Sequence, residues 1–366
     1  MRALLLAVFS AMLGLGIVSP LMPIYAKDLG ATTLILGIIY SSFSTARTIF
    51  TPIVGFLSDR LGRKFFILTG LALYSILSIF YMVARTPEDL VVIRFFHGLS
   101  SAMVVPSAMA YVSQLAPKGE EGRTISSFNI AFLTGMGFGP FLGGVVKDIF
   151  GLRFAFAIMA FLTALAFILA LPLPNLKDRT NFRVKAILNR CITSLMIFRF
   201  STAVRMSLMI AFFPVLISYL KGYEIGAIVS AVILSNAISQ KLFSGLVDRF
   251  DRVLIATISG LASTIIFIVL PFSDDFYRIL ALALVMGIFN GLATCSACAI
   301  AIELGRTYGH GAVMGLYNTA MSLAMMTTPV IAGFIADKTD IPTSFVALGF
   351  LSMTCLFIFH ATISKR

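Results

Sequence analysis

Residues 55–64 read Gly-Phe-Leu-Ser-Asp-Arg-Leu-Gly-Arg-Lys and separate two long apolar segments of the chain. So many charges together are costly in hydrocarbon, which predicts a short loop at a membrane surface. The excess of arginine and lysine places that loop on the cytoplasmic side. A weaker copy, Gly-Leu-Val-Asp-Arg-Phe-Asp-Arg, occupies residues 245–252, and Asp59 and Asp248 lie 189 positions apart. A charged loop repeated at half the chain length predicts a duplicated membrane protein.

The composition of the chain points to the same class of protein. Of its 366 residues, 59% are hydrophobic and only 12% are charged, which leaves too little polar surface for a soluble domain. The apolar runs are continuous and about 20 residues long, the length of a membrane-spanning helix rather than of a barrel strand. We predict an all-α membrane protein with twelve transmembrane helices, at residues 3–25, 33–57, 65–84, 90–114, 123–146, 153–172, 192–218, 224–246, 253–271, 278–302, 312–335 and 343–362.

The formal net charge is +12, which on a soluble protein would suggest nucleic-acid binding. Most of the basic residues fall in the expected loops, where they set the topology instead. With the N-terminus inside, the cytoplasmic loops and ends carry 16 Lys and Arg, and the outer loops carry 7. This asymmetry predicts that both termini are cytoplasmic. We expect a multi-pass monomer in the plasma (inner) membrane of a prokaryote, with the lipid bilayer as a partner and no nucleic acid.

A repeat with a period of 189 residues extends beyond the two charged loops. At this spacing, five residues of the fifth predicted helix match five of the eleventh: Gly122, Asn129, Pro140, Gly144 and Asp148 match Gly311, Asn318, Pro329, Gly333 and Asp337. The chain then divides into a six-helix bundle at 1–172, a cytoplasmic linker at 173–190 and a second six-helix bundle at 191–366. Two parallel repeats predict a pseudo-two-fold axis along the membrane normal and a binding site near the midplane, where the halves meet.

Three motifs resemble those of the major facilitator superfamily of secondary transporters. Residues 55–64 fit that family's signature between helices two and three, and residues 94–102 (Arg-Phe-Phe-His-Gly-Leu-Ser-Ser-Ala) resemble its fourth-helix signature. Residues 135–144 (Gly-Met-Gly-Phe-Gly-Pro-Phe-Leu-Gly-Gly) resemble the fifth-helix signature associated with antiporters, including drug exporters. The resemblance implies the two-bundle, twelve-helix fold, alternating access and the drug:proton antiporter branch, but it specifies no substrate.

The charged loops are candidate gates. Asp59 lies at the expected start of the third helix, where a carboxylate can cap the helix or pair with an arginine. Because the Asp-Arg pair recurs in both halves, we expect a cytoplasmic latch; the alternative is a topology anchor only. The candidate gating residues are Gly55, Asp59, Arg60, Gly62, Arg63, Asp248, Arg249 and Arg252. In the fifth helix, a proline kink and close-packing glycines predict a hinge at Gly135, Gly139, Pro140, Gly143 and Gly144.

Polar side chains inside the predicted helices are candidates for substrate binding, because burying a charge in a membrane is costly. Arg47, Arg94 and Arg205 lie too deep to reach the surface and are expected to face a cavity or backbone carbonyls, whereas Arg199 can snorkel. The candidate set is Arg47, Arg94, His97, Asn129, Arg205, Asn236, Asn290, Tyr317 and Asn318. For each asparagine, hydrogen bonding between helices is an equal alternative.

Proton coupling has one candidate carrier. No Asp or Glu lies in the middle of a predicted helix, although many proton-coupled exporters of the family that the chain resembles carry one there. His97 is the one deep group whose ordinary pKa is near neutrality. We therefore expect His97, beside Arg94, to relay protons; the alternative is a neutral, hydrogen-bonded histidine.

The leading functional prediction is a secondary active transporter that exports small organic, often hydrophobic, compounds by proton-coupled multidrug efflux. The alternative is a transporter of an organic anion, a carboxylate or a phosphorylated metabolite, bound by the buried arginines. Nothing supports an enzyme, since the sequence has no catalytic nucleophile–base pair, Gly-rich phosphate loop or zinc spacing. We expect no metal and no cofactor, a small-molecule substrate, and H+ as the coupling ion.

Overall fold

Fifteen α-helices and one 3₁₀ turn form the part of the chain that the computed structural model describes, residues 2–115, 121–175 and 189–363. In the first half they are α1 (Arg2–Val18), α2 (Leu21–Asp28), α3 (Thr33–Leu61), α4 (Arg63–Val83), α5 (Pro87–Gln114), α6 (Glu121–Phe150) and α7 (Leu152–Ala170). In the second half they are α8 (Arg190–Ala211), α9 (Phe213–Leu216), α10 (Gly222–Leu242), α11 (Ser244–Arg249), α12 (Arg252–Val269), α13 (Phe276–Tyr308), α14 (His310–Lys338) and α15 (Ile341–Ile363), with the 3₁₀ turn at Leu270–Phe272. The predicted all-α fold is confirmed.

Twelve candidate membrane spans can be made from these helices. Eleven single helices of the described residues are long and apolar enough to cross a membrane, and α1 and α2 together make one further span. The helix predicted at 3–25 is bent by 43°, because α1 ends at Val18 and the ring of Pro20, which precedes α2, cannot donate a helical hydrogen bond. The helix predicted at 192–218 is likewise interrupted just before Pro214, between α8 and α9.

The described helices form two compact units. The first contains residues Met1–Ala31, Ile38–Asn181 and Leu220–Ser230, and the second contains Thr32–Gly37, Phe182–Tyr219 and Ala231–Arg366. Each unit therefore includes a short stretch from the other half of the sequence. The basic residues predicted for the central linker between 176 and 188, and the loop at 116–120, lie outside the described residues.

Each unit has its own apolar core. In the first unit, α1 packs on α6 and α7, and α4 packs on α5 and α7, around buried side chains such as Met12, Tyr74 and Tyr111. In the second unit, α8 packs on α14 and α15, and α12 packs on α13, around Phe198 and Phe359. Burial of large side chains in each unit stabilises it by about 25 cal/mol for each Å² of apolar surface removed from solvent.

Large apolar side chains also cover the exterior of the helices. Exposed examples run along several spans: Ile76, Ile79, Phe80, Phe161, Ile168, Ile258, Ile265, Phe350 and Phe357. A soluble monomer rarely exposes so much contiguous apolar surface, whereas lipid is a suitable solvent for it. The fold is that of a multi-pass membrane protein.

Candidate functional site

The loop predicted at 55–64 is almost entirely helical, so that prediction is wrong. α3 continues to Leu61 and α4 begins at Arg63, and Gly62 alone lies outside a helix. The predicted capping of the next helix by Asp59 is also absent, since α4 begins without a side-chain cap. Asp59 lies in α3 and adopts the other predicted role, because its Oδ1 accepts a hydrogen bond from Arg63 Nη2 at 3.0 Å.

The contacts of Arg63 stabilise the helical structure of this charged stretch. Its side chain is buried, and Nη1 donates to the carbonyl oxygen of Ala110 at 2.7 Å and to Oε1 of Gln114 at 2.8 Å, both on α5. The pair with Asp59, four residues earlier at the end of α3, supplies a counter-charge across the junction. The buried Arg63 is thus satisfied by α5 and by Asp59, while Arg60 remains exposed.

Gly62 is required by both its backbone and its surroundings. Its φ of 111° is one that favours glycine, and a Cβ at this position would overlap the side chain of Asn175. Of the other residues predicted to gate, Arg60 lies over the ring of Phe56, 4.2 Å from its centre, and Gly55 faces open space. The junction between α3 and α4 is therefore fixed mainly by Asp59, Gly62 and Arg63.

The weaker copy at 245–252 is also mostly helical, but it is held differently. Asp251 takes the repeat position of Gly62 and caps α12, its Oδ1 accepting the amide hydrogen of Leu254 at 2.8 Å. Arg252 pairs with Glu303 of α13 at 3.4 Å. Arg249 is exposed, and the side chain of Asp248 lies outside the described residues.

The predicted hinge residues all lie in α6: Gly135, Gly139, Pro140, Gly143 and Gly144. A Cβ at Gly135, Gly139 or Gly143 would overlap the backbone of α1. Gly139 and Gly16 lie directly against each other, because a Cβ on either would lie 3.0 Å or less from the other's Cα. Small residues therefore let α1 and α6 pack backbone to backbone, and Pro140 interrupts the hydrogen-bond ladder of α6 beside this contact.

Arg94 and His97 lie on one face of α5 inside the first unit, and both are buried. Nδ1 of His97 is 2.9 Å from the hydroxyl oxygen of Tyr81, and the ring of Tyr74 meets the imidazole edge to face at 4.6 Å. The Arg94 guanidinium lies 5.0 Å from the ring centre of Tyr40, a cation–π contact. Nε2 of His97 and Nε of Arg94 are buried without a hydrogen-bond partner among the described residues. We call these five residues the aromatic cluster.

Arg205 is the centre of a second cluster, in the second unit, where it is 3% exposed. Nη1 donates to the hydroxyls of Ser201 at 3.1 Å, Thr264 at 2.9 Å and Ser352 at 2.6 Å, and Nη2 donates to Oδ1 of Asn290 at 3.3 Å. These partners come from α8, α12, α15 and α13. The cluster brings together two predicted candidates, Arg205 and Asn290. The guanidinium binds side-chain oxygens instead of the cavity or backbone carbonyls that we expected. We call these five residues the hydroxyl cluster.

Arg199, which was predicted to be able to snorkel, contacts two side chains of α14. Its guanidinium lies 4.9 Å from the ring centre of Tyr317, and its Nη2 is 2.7 Å from the sulfur of Met321. Tyr317, a predicted candidate, is buried. The structure thus adds Arg199 to the candidate residues of the second unit.

Four other predicted residues lie outside the hydrogen-bonded clusters. Arg47 is half-buried on α3 and lies close enough to Tyr74 for an electrostatic interaction, so it adjoins the aromatic cluster. Asn236 is half-buried, and its Oδ1 accepts from Gln240 at 2.7 Å, within the same helix. The remaining two are Asn129 and Asn318, which are repeat equivalents and are both exposed.

Several residues of both clusters were missed from the sequence. Tyr74 and Tyr81 are seven residues apart on α4, which places them on one helical face, and this spacing is the signal that would have found them. Ser201 carries a similar signal, because it precedes Arg205 by one turn. Thr264 and Ser352 carry none, since a lone hydroxyl in an apolar helix usually bonds to its own backbone.

In both clusters, a buried arginine lies without a buried carboxylate beside it, within the described part of the chain. Among the described residues, neither Arg94 nor Arg205 has a salt bridge, and no group of three or more His, Cys, Asp and Glu side chains is placed to hold a metal. Such clusters can bind or repel charged solutes and can hold or pass a proton.

The family profile described as Major Facilitator Superfamily matches residues 4–220 and 195–365, almost the whole chain.

The chain belongs to the Major Facilitator Superfamily. It is 29% identical over 98% of its length to an uncharacterized MFS-type transporter of Methanocaldococcus jannaschii, of which the match covers 96%. It is 26% identical to the quinolone resistance protein NorA of Staphylococcus aureus, with 93% of this chain and 91% of that protein covered.

Solved members of the superfamily share the fold at lower identity. The nucleoside transporter NupG superposes with a TM-score of 0.82 at 15% identity, covering 100% of this chain and 99% of that one. The human organic anion transporter MFSD10 superposes with a TM-score of 0.70 at 16% identity, covering 98% of each chain. The predicted family and twelve-helix fold are confirmed, and this Major Facilitator protein is a membrane transporter rather than an enzyme.

Proposed function

We propose that this Major Facilitator protein exports small organic, largely hydrophobic compounds by exchange with protons. The observation that carries the proposal is the glycine run of α6. Its sequence resembles the antiporter signature, and three of its glycines lie where a Cβ would overlap α1. A seam of small residues lets two helices slide or rock without side chains interlocking. The match to the quinolone resistance protein over nine-tenths of the chain supports export of drug-like compounds.

The proton would be carried by His97. The spans contain no Asp or Glu in their middle portions, so the usual carboxylate carrier has no counterpart here. The Tyr81 hydroxyl fixes the imidazole through Nδ1, and Nε2 lacks a partner, which leaves one ring nitrogen available to a proton. Arg94 lies one turn away on the same helix, so the proton would be carried beside a positive charge.

Transport by purified protein in proteoliposomes tests this proposal. When a pH gradient is imposed, we expect a quinolone to cross the membrane in the direction opposite to the protons. The flux should cease when a protonophore dissipates that gradient. A panel of organic anions should move slowly or not at all. Quinolone flux that is indifferent to the gradient would contradict proton exchange.

A second candidate function is transport of an organic anion. It is favoured by the buried guanidinium of Arg199, which contacts an aromatic ring and a thioether but has no carboxylate partner among the described residues. A guanidinium binds carboxylate and phosphate groups in a bidentate manner. Flux of the anion panel without quinolone flux, lost in Arg199→Gln, would establish this function in place of the first.

We also infer that both termini are cytoplasmic and that the protein works as a monomer in a plasma membrane. The excess of basic residues in the loops on that side supports the orientation. Some reporter enzymes are active only in the cytoplasm. Such a reporter, fused after Arg366, should show activity. Activity of a periplasmic reporter at the same position would reverse the topology.

A further inference from the structure

The carboxylate of Asp148 binds the beginning of another helix. Asp148 lies in the last turn of α6, and within the first unit its Oδ1 accepts the amide hydrogen of Gly222 at 2.9 Å while its Oδ2 accepts that of Tyr223 at 2.8 Å. Gly222 and Tyr223 are the first two residues of α10. The first amide groups of a helix have no partners within the helix, so this carboxylate satisfies two of them from 74 residues away in sequence.

Asp337 makes the same arrangement in the second unit. It lies in the last turn of α14, and its Oδ1 and Oδ2 accept the amide hydrogens of Thr33 at 2.9 Å and Leu34 at 3.0 Å. The hydroxyl of Thr33 also donates to Oδ1. Thr33 and Leu34 are the first two residues of α3. Both carboxylates therefore lie at the positive end of a helix dipole, where an anion is stabilised.

The two arrangements are copies of one another. Asp148 and Asp337 are separated by 189 residues, as are Thr33 and Gly222, and Leu34 and Tyr223. The same bidentate pattern therefore recurs in both halves although the residues bound differ in type. Both copies therefore share the binding of two backbone amides by one carboxylate. They do not share the side chains at the helix start.

Close backbone contacts accompany both carboxylates. A Cβ at Gly226, on the second turn of α10, would overlap the carbonyl of Pro140 of α6. A Cβ at Gly37, at the equivalent position of α3, would overlap the carbonyl of Pro329 of α14. The starts of α10 and α3 are thus packed against α6 and α14 without intervening side chains. On α10, Ser230 Oγ also accepts the amide hydrogen of Phe141 of α6 at 3.0 Å. Helices joined mainly by backbone contacts and one carboxylate can separate without unlocking interdigitated side chains.

We infer that Asp148 and Asp337 are a matched pair of positioning residues for transport. They hold the starts of α10 and α3 against α6 and α14 in the state seen here, and each releases its helix start when the transporter changes state. Major Facilitator transporters work by rocking helix bundles, which requires contacts that form in one state and break in the other. Neither residue is assigned a contact with substrate, so the inference holds whichever compound is carried.

Thiol labelling of the purified protein tests the inference without a substrate. The parent has the four native cysteines replaced by serine and one cysteine introduced at Ser230 of α10 or at its equivalent Ser41 of α3, which are 5% and 9% exposed. We expect Asp148→Asn to speed labelling at 230, and Asp337→Asn to speed labelling at 41, by about fivefold, the factor given by ~1 kcal/mol for loss of a helix-capping carboxylate. Asp148→Glu and Asp337→Glu, which keep the charge, should restore most of the protection.

Two matched controls separate gating from general loosening. Asp340 precedes α15 and accepts the amide of Thr343 at 2.7 Å, bonds that lower the pKa of its carboxyl. It caps only its own helix, so Asp340→Asn should leave labelling at 230 and 41 unchanged. A cysteine at the fully buried Ser78 of α4 should label equally slowly in all variants. Unchanged labelling in Asp148→Asn and Asp337→Asn, or an equal increase at 78, would overturn the inference.

Discussion

The two units bury an arginine by opposite means. In the aromatic cluster, Arg94 lies near the rings of Tyr40 and Phe43, 5.0 and 5.7 Å from their centres. In the hydroxyl cluster, Arg205 divides four hydrogen bonds among residues of four helices. An aromatic face attracts a cation without fixing its orientation, whereas oxygen acceptors require each N–H to point along a set direction.

This difference assigns the two clusters different tasks. Arg205 acts as a brace, because its Nη1 and Nη2 groups join α8 to α12, α13 and α15. Arg94 acts as a charge beside a titratable ring, because its contacts tolerate movement and His97 is next to it. The sequence shows an arginine in an apolar helix in both units, so only the surrounding side chains distinguish the brace from the charge.

Replacing the arginine of each cluster by lysine should give the largest difference in stability between the two units. Arg205→Lys keeps the charge but replaces a planar fork with a single ammonium, which cannot reach all four acceptors. We expect it to lower the stability of the purified protein by about 3 kcal/mol, since a buried charge is left poorly solvated. Arg94→Lys should cost about 1 kcal/mol or less, because an ammonium also binds an aromatic face. Thermal unfolding in detergent measures both, and equal losses would contradict the distinction.

Substitution of the histidine of the aromatic cluster should give the next largest effect. His97→Gln removes the titratable ring while keeping hydrogen-bonding capacity, so proton-driven flux should fall by about tenfold or more. Substrate exchange without a gradient should persist, because it needs no proton transfer. Tyr81→Phe should reduce the driven flux less, since the ring loses only its orienting partner on Nδ1.

His360 provides the matched control for this prediction. It is half-buried near the end of α15 in the second unit, where its Nδ1 lies 3.2 Å from the hydroxyl oxygen of Thr257. His360→Gln should leave proton-driven flux within about twofold of the parent. If His97→Gln retains the driven flux, or if both variants lose it equally, the relay assigned to the aromatic cluster is wrong.

The fold could be predicted from the sequence because hydrocarbon leaves few alternatives. Long apolar runs must form helices, and the repeat between Asp59 and Asp248 shows two halves. The polarity of residues 55–64 was misread, because neighbours such as Ala110, far away in sequence, satisfy Arg63. Composition alone could not show that these groups meet inside a helical junction.

The candidate site could be predicted only in part, for a related physical reason. Unusual residues such as Arg94 and Arg205 stand out in an apolar helix because their burial is costly. Their partners do not stand out, since Ser352 and Thr264 are ordinary residues of membrane helices. Asp148 and Asp337 were placed as repeat equivalents, but the helix ends that they bind appear only once the chain is folded.

The charged junctions at 55–64 and 245–252 also differ between the two units, and substitutions there should have smaller effects. Asp59 balances the buried Arg63 in the first unit, so Asp59→Asn should leave membrane insertion intact and reduce transport about threefold to fivefold, as expected for a partly exposed ion pair. Arg63 keeps its bonds to Ala110 and Gln114, which limits the loss. Transport by protein at matched expression measures the effect, and an unchanged rate would favour a role as topology anchor only.

The smallest effect is expected at Asp251, which occupies in the second unit the position of Gly62 in the first. Asp251 caps α12 through the amide of Leu254, and a glycine is nearly as good at such a position as a capping side chain. Asp251→Gly should therefore lower stability by only a few tenths of a kcal/mol and leave transport within about twofold of the parent. The reverse exchange, Gly62→Asp, meets a φ of 111° and the side chain of Asn175, so it should lower stability by about 2 kcal/mol. If the two exchanges were tolerated equally in thermal unfolding, the junctions would be interchangeable, and the contrast between the units would be confined to their buried arginines.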